Sequence, residues 1–248
     1  MTGEDGSRGQ CFGVGVGPGD PELMTVKAVR VVQSAPVVAY FAARNRVSNA
    51  RRIASEYLTD AHDLIELTYP VTTEKLPDGE SYDALISDFY DESAKQLAEV
   101  LDGGRDIAVL CEGDPFLFGS FMYLSHRLGE RYSVHVVPGV PAMLAGAAML
   151  GAPLVSRDEE LRVLSGVLPV EVLAQRLREC DAAVVMKVGR NLAVVTEAVT
   201  RAGLLDRAFY VERATMADQR VMPLRDADDL VAPYFSMVIV PSVTARTR

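Results

Sequence analysis

The sequence predicts an α/β fold in two lobes, with mixed sheets and a cleft between them, on three observations. Short β-branched runs alternate with segments of helical periodicity along most of the 248 residues. The triplet Gly-Asp-Pro occurs twice, at Gly19-Asp20-Pro21 and Gly113-Asp114-Pro115, each time after an apolar run and before a helix-like pattern. Towards the end, strand-like runs follow one another too closely for intervening helices, which requires antiparallel pairing in part of the sheet.

Each element has its own warrant. Residues 11–16 form an apolar strand, and residues 22–34 a helix with Leu23, Val26, Val29 and Val32 at helical spacing. Residues 37–41 form the next strand, residues 49–57 a helix, and residues 63–67 a short strand. Residues 81–102 read as a long amphipathic helix stopped by Gly103-Gly104. A buried strand at 107–111 leads into the second Gly-Asp-Pro corner, a helix at 116–128 follows, and a strand at 134–137 closes the first half. The turn Pro138-Gly139-Val140-Pro141 opens a small-residue helix at 142–150, whose Ala145, Gly146, Ala147 and Ala148 permit close packing. Strands are predicted at 161–164, 182–188, 208–211, 220–224 and 236–240, with helices at 170–179 and 192–202. The lobes are divided near Pro138, into residues 1–137 and 138–248.

In each Gly-Asp-Pro corner glycine permits the tight turn, aspartate is placed to cap the next helix, and proline suits the first helical position. Familiar phosphate-binding patterns do not fit. In Gly13-Val14-Gly15-Val16-Gly17-Pro18-Gly19-Asp20, the third glycine of G-x-G-x-x-G falls on Pro18, Asp20 or Glu22 in the three available registers. No Gly-Lys-Ser/Thr tripeptide exists for a Walker loop. A shorter G-x-G-x-G does fit, as in ordinary Rossmann-type methyltransferases, but the next strand lacks the acidic residue that those require.

Composition narrows the classes. Thirty-four acidic against 25 basic residues give a net charge of −9, which argues against general nucleic-acid binding. Three scattered cysteines, Cys11, Cys111 and Cys180, and three scattered histidines offer neither a disulfide framework nor a metal site. The first ten residues lack the apolar segment of a secretion signal, and the longest apolar stretch, residues 140–155, is interrupted by glycines and prolines. A cytoplasmic, soluble protein without a membrane partner is expected.

Four segments, GVGVGPGDPELMTVKAVRVV, CEGDPFLFGSFMYL, VVPGVPAMLAGAAMLGAPLV and VVMKVGRNLAVVTEAVTRAGLLDRAFYVERATMADQR, resemble in order the tetrapyrrole methylase superfamily, over residues 12 to about 240. Gly119 to Tyr123, Tyr69 to Lys75 and Met186 to Arg190 are most similar to its precorrin-2 C(20)-methylating branch. Siroheme-type uroporphyrinogen methylases tend to have Gly-Arg-Gly where this chain has Gly119-Ser120-Phe121.

The resemblance implies S-adenosyl-L-methionine (SAM) as methyl donor, S-adenosyl-L-homocysteine as product, an anionic tetrapyrrole as acceptor, and a homodimer. It carries SAM contacts onto Pro18, Glu112, Gly113, Asp114, Leu117, Pro141, Ala142, Met186, Lys187, Ala214 and Thr215. Where relatives often carry Ser or Thr in the Pro-Gly-Val turn, Pro141 and Ala142 offer no hydroxyl. A polycarboxylate substrate on an acidic protein calls for local basic groups, and arginine holds a carboxylate in a bidentate manner. Candidates are Arg44, Lys75, Arg190 and Arg213, with Lys187 beside them and Thr72, Thr73 and Tyr123 as hydrogen-bonding partners. A reduced meso carbon is already nucleophilic, so placement of donor and acceptor dominates. Asp20 is the candidate catalytic group, as a proton acceptor or a pyrrole N–H contact, and helix capping is an equal reading of it. The same methylation on a cobalt-loaded ring, diphthine synthase chemistry, and a regulator that binds without turnover are the alternatives.

Overall fold

The computed structural model describes residues 8–71, 81–227 and 230–243, and the chain divides into two compact units, Met1–Pro141 and Ala142–Arg248. In the first unit, strands β1 (Cys11–Gly15), β2 (Val37–Ala43), β3 (Asp63–Tyr69), β4 (Ile107–Cys111) and β5 (Val134–Val137) form one sheet in the order β3-β2-β4-β1-β5. Every pairing in it is parallel. Mixed strand directions are therefore confined to the second unit.

Alternation along these strands feeds two cores, because successive side chains point to opposite faces. On one face Val14, Val38, Tyr40, Ala108 and Leu110 pack with Ala28 and Val32 of helix α1 (Val26–Ser34) and Ala50 and Ile53 of α2 (Asn49–Ile53). On the other, Cys11, Ala39, Phe41, Val109 and Cys111 pack with Tyr90, Leu97 and Leu101 of α3 (Tyr82–Asp102) and Phe121, Leu124 and Leu128 of α4 (Phe121–Leu128). Ser81 caps α3 at the Ala84 amide, and Gly104 takes the left-handed conformation (φ 76°) just past its end. Gly13 leaves room in β1 for the Phe121 ring, which an added Cβ would overlap.

Two helices begin later than the sequence predicts. Pro21–Leu23 is a single 3-10 turn, and α1 starts after Thr25, whose hydroxyl oxygen accepts from the Ala28 amide at 3.1 Å. The threonine cap restarts the chain, so the helix expected over 22–34 is two pieces. Residues 116–120 form no helix. Phe118 is left-handed (φ 56°), and Gly119 passes so close to the Pro115 carbonyl that a side chain there would clash. Phe116, Phe118 and Phe121 thus do not share one helix: only Phe121 is buried in α4, while Phe116 and Phe118 stand exposed in the preceding loop.

The second unit holds α5 (Ala142–Leu150), α6 (Val170–Arg178) and α7 (Leu192–Arg201) around strands β6 (Leu161–Ser165), β7 (Ala182–Met186), β8 (Phe209–Glu212), β9 (Arg220–Pro223) and β10 (Ser236–Val240). The sheet order is β6-β7-β10-β8-β9, with β6 parallel to β7 and the other neighbours antiparallel. Helices α6 and α7 cover one face, and α5 the other against Val184, Val211, Met237 and Ile239. Gly146 makes α5's close approach possible: a Cβ there would lie 2.9 Å from Met237 Sδ and from Ile239 Cδ1.

Candidate functional site

In the first sheet β1 and β4 are neighbours, yet the chain leaves them in opposite directions, from β1 across to β2 and from β4 across to β5. The two connections cross on opposite faces of the sheet, and α/β proteins bind ligands beyond the carboxyl ends of strands where the order reverses. Both Gly-Asp-Pro corners lie here, and they are bonded to each other. The Gly17 N–H donates to the Gly113 carbonyl at 3.3 Å, and the Gly113 N–H to the Gly17 carbonyl at 2.8 Å. Both glycines have positive φ, 78° and 63°. The turn after β5 completes the cluster. Asp114 Oδ2 accepts the Gly139 N–H at 3.1 Å while its Oδ1 accepts the Phe116 N–H at 2.9 Å. Gly15 and Gly139 pass in backbone contact: a Cβ on Gly15 would stand 2.6 Å from the Gly139 Cα and 2.7 Å from the Gly113 oxygen.

This geometry revises the capping expectation at Asp114 and meets it at Asp20. Asp114 caps no helix, because none begins at Pro115; its carboxylate instead ties the β4 and β5 loops together. The Gly113 amide is spent on Gly17, leaving carbonyl lone pairs and neighbouring groups to face a ligand. Asp20 caps the 3-10 turn, accepting the Glu22 N–H at 2.9 Å.

Glu112, at the exit of β4, accepts the Ala50 N–H at 3.3 Å. Burial pushes its carboxyl above the usual range, against the opposing pull of its own and the Ala50 backbone amides. Pro18 is buried beside the paired glycines, and Leu117 and Pro141 are half-buried. Arg44 is exposed just past β2 and makes no ion pair among the described residues. Tyr123 on α4 stacks on Tyr90, with centroids 4.6 Å apart, and leaves about half of its surface exposed (48%). Thr72, Thr73 and Lys75 lie outside the described residues.

The second unit gathers its candidates at one sheet edge. Strands β7 and β8 both run antiparallel to β10, so both end where β10 begins. Met186 closes β7, followed by Lys187 in the left-handed region (φ 59°) and a 3-10 turn, Gly189–Asn191, containing Arg190. Ser236 joins this turn to β10: its Oγ accepts the Gly189 N–H at 3.1 Å and donates to the Pro233 carbonyl at 2.7 Å. Ala142 begins α5 on the face that packs against the sheet.

After β8 the chain turns through Arg213 (φ 47°), buried Ala214 and Thr215 (φ 70°). Arg213 does not stand ready for a substrate carboxylate. Its Nη1 donates to Glu212 at 3.1 Å, and its Nε lies 3.4 Å from Asp218 Oδ2. Those acidic neighbours commit the guanidinium to the loop.

No motif marks the residue at the centre of that network. Glu212 is fully buried and also takes Tyr210 Oη at 2.5 Å and Arg220 Nε at 2.7 Å. Burial pushes its carboxyl up, but the bonds from Arg220 and Tyr210 and the charges of Arg220 and Arg213 outweigh this and hold it below the usual range. Acidic residues are almost never fully buried unless paired, so Glu at the end of the apolar run FYV was a signal to seek partners. A second missed link is the hydrogen bond between the Tyr69 and Ser120 hydroxyls, which fixes the segment before α4.

In the first unit Gly15, Gly17, Gly113 and Gly139 let main chain come close, with Leu117 half-buried nearby in sequence; in the second, Met186 and Ala214 pack on the α5 side of the sheet. Among the described residues no His, Cys, Asp and Glu side chains gather as a metal-binding group, and no helix is long and apolar enough to cross a membrane.

Comparison with known proteins gives a consistent picture. Residues 10–228 match the family model of tetrapyrrole (corrin/porphyrin) methylases. The precorrin-2 C(20)-methyltransferase of Sinorhizobium sp is 47% identical over 235 residues, covering 94% of this chain and 95% of that protein. The cobalamin biosynthesis protein CobIJ of Mycobacterium tuberculosis is 48% identical over 240 residues, 97% of this chain, which spans about half (47%) of that relative's length. Among solved structures, the uroporphyrin-III C-methyl transferase of Thermus thermophilus complexed with S-adenosyl homocysteine is similar at TM-score 0.66 and 25% identity, covering 95% of this chain and 99% of that one. The chain belongs to the tetrapyrrole (corrin/porphyrin) methylases.

Proposed function

We propose that this protein transfers the methyl group of SAM to carbon 20 of precorrin-2, forming precorrin-3A in cobalamin biosynthesis. The observation that carries this is the 47% identity to a precorrin-2 C(20)-methyltransferase over nearly the full length of both chains. Bound SAM supplies an electrophilic methyl on a sulfonium sulfur and leaves as S-adenosylhomocysteine. This chain's residues bind, orient and shield. Pro18, Glu112, Gly113, Asp114, Leu117 and Pro141 from the first unit, and Ala142, Met186, Lys187, Ala214 and Thr215 from the second, are the groups assigned to SAM. Glu112 offers a carboxyl to a polar or cationic part of it, and the glycine corners offer carbonyl oxygens.

On the substrate side, Arg44, Lys187 and Arg190 are exposed basic groups for its carboxylates, and Tyr123 presents a ring and a hydroxyl. Thr72, Thr73 and Lys75 belong to the same proposal by family resemblance. Asp20, whose Oδ1 accepts the Glu22 amide, is assigned as the contact for a pyrrole N–H or a departing proton. Since the acceptor carbon is intrinsically nucleophilic, most of the catalytic effect comes from alignment. The protein is assigned to the cytoplasm and to a homodimer. Leu144 and Met149, exposed on α5, supply apolar surface of the kind an association face uses.

The test is turnover with the metal-free and the cobalt-loaded ring side by side. One methyl per ring on precorrin-2, with one equivalent of S-adenosylhomocysteine, is the expected result. Turnover of the cobalt-loaded ring alone, or of neither, overturns the assignment.

A further inference from the structure

The segment between β8 and β9 begins at Arg213 and ends at Arg220, and Glu212 holds both ends. Glu212 and Arg220 are direct partners in the antiparallel register, with Arg220 Nε 2.7 Å from Glu212 Oε1. Arg213 Nη1 reaches the same oxygen at 3.1 Å. Tyr210 Oη takes the other oxygen at 2.5 Å, so the carboxylate is anchored from within the core. Between the two arginines the main chain carries two left-handed non-glycine residues, Arg213 and Thr215, a conformation that persists only where surrounding contacts over-determine it. Three main-chain contacts contribute to this. The Met216 N–H donates to the Arg213 carbonyl at 2.9 Å, the Thr215 N–H to Gln219 Oε1 at 2.9 Å, and the Arg213 N–H to the Phe235 carbonyl at 2.8 Å.

We propose that Glu212 is a positioning residue for methyl-donor binding: with Arg213 and Arg220 it forms a clasp that holds the main chain at Ala214 and Thr215 in the shape that receives SAM. This rests on the assignment of Ala214 and Thr215 to SAM made above. Both guanidinium groups donate to the same carboxylate oxygen, so a glutamine oxygen there keeps the acceptor but loses the charge that strengthens both bonds.

The test is calorimetric titration of SAM together with steady-state kinetics on precorrin-2, for the wild type, Glu212→Gln, Arg220→Met and Arg220→Lys. In Glu212→Gln the Kd and KM for SAM rise about tenfold, as expected when a charge-assisted contact is lost. In the same variant kcat at saturating SAM and the KM for precorrin-2 stay within about twofold. Arg220→Met moves the SAM constants the same way by a smaller factor, and Arg220→Lys restores them. Since Arg220 lies at the exposed end of the clasp, its pair of variants decides the matter if Glu212→Gln does not fold. Variants that melt at lower temperature yet bind SAM like the wild type would reduce the clasp to a purely structural role and overturn the proposal. A wild type that takes up no SAM would instead remove the functional reading, and the clasp proposal with it.

Discussion

At the strand ends of the first unit the chain closes its turns with glycine, whereas in the second unit it does so with charge. Gly15, Gly17, Gly113 and Gly139 bring the β1, β4 and β5 loops into backbone contact, with Asp114 as a side-chain tie. The β7 and β8 loops use left-handed Lys187, Arg213 and Thr215, and the β8 loop is held by an ion-paired network around Glu212. The contrast shows in two strand-end glutamates. Glu112 has one amide partner outside its own residue, and its carboxyl is harder to ionise than usual; Glu212 has three side-chain partners, and its carboxyl is easier to ionise. The first carboxyl resists ionisation where it stands; the second is fastened by its partners.

That contrast can be broken by substitution. The largest effect is expected at Gly139, where a Cβ would overlap the Gly113 carbonyl and sit 2.8 Å from the Gly15 Cα. Gly139→Ala should cost about 3 kcal/mol in urea unfolding, since backbone cannot move aside as a side chain would. Next is Glu212→Gln, at about 2 kcal/mol, the scale of a hydrogen bond to a charged group in a buried site. Asp114→Asn keeps one acceptor of two, so about 1 kcal/mol should be lost, with SAM affinity falling alongside.

Glu112→Gln should behave in the opposite sense, with an unfolding free energy at neutral pH equal to or above wild type and weaker SAM binding. The pH dependence sharpens the pair. Glu212's stabilisation is complete above the ordinary glutamate pKa of about 4.3 and is lost as pH falls below it. The Glu112 penalty runs the other way, absent at low pH and growing as pH rises through that value toward its raised pKa. Stability profiles of the two Gln variants should therefore diverge from wild type in opposite directions above pH 5 or so and converge in acid. If both variants destabilise equally at neutral pH, the distinction between the two carboxylates fails. The smallest effect belongs to Arg44→Ala: within about 0.5 kcal/mol in stability, as for an exposed unpaired side chain, with weaker precorrin-2 binding as its signature.

Much of the fold was legible because local and long-range preferences agree. The strand at Ile107–Cys111, the helix capped by Ser81 and stopped at Gly103-Gly104, and the close-packing helix around Gly146 stand where periodicity puts them. Periodicity failed at residues 116–120, where the Gly119 approach to Pro115 and the left-handed Phe118 impose a loop. Those constraints are main-chain conformations within the loop itself, which side-chain periodicity does not display. At the candidate site, the paired corners were visible as a repeated triplet, yet their bonding to each other through Gly17 and Gly113 was not. Arg213 was legible as a charge on a loop, but its commitment to Glu212 and Asp218 depends on a register that only the folded sheet fixes.

The most direct test of the central claim is the position of the transferred methyl. Precorrin-2 incubated with the protein and carbon-13 methyl-labelled SAM should give a product in which NMR finds the label on carbon 20 alone. Label at another ring position, or none at all, would contradict the account.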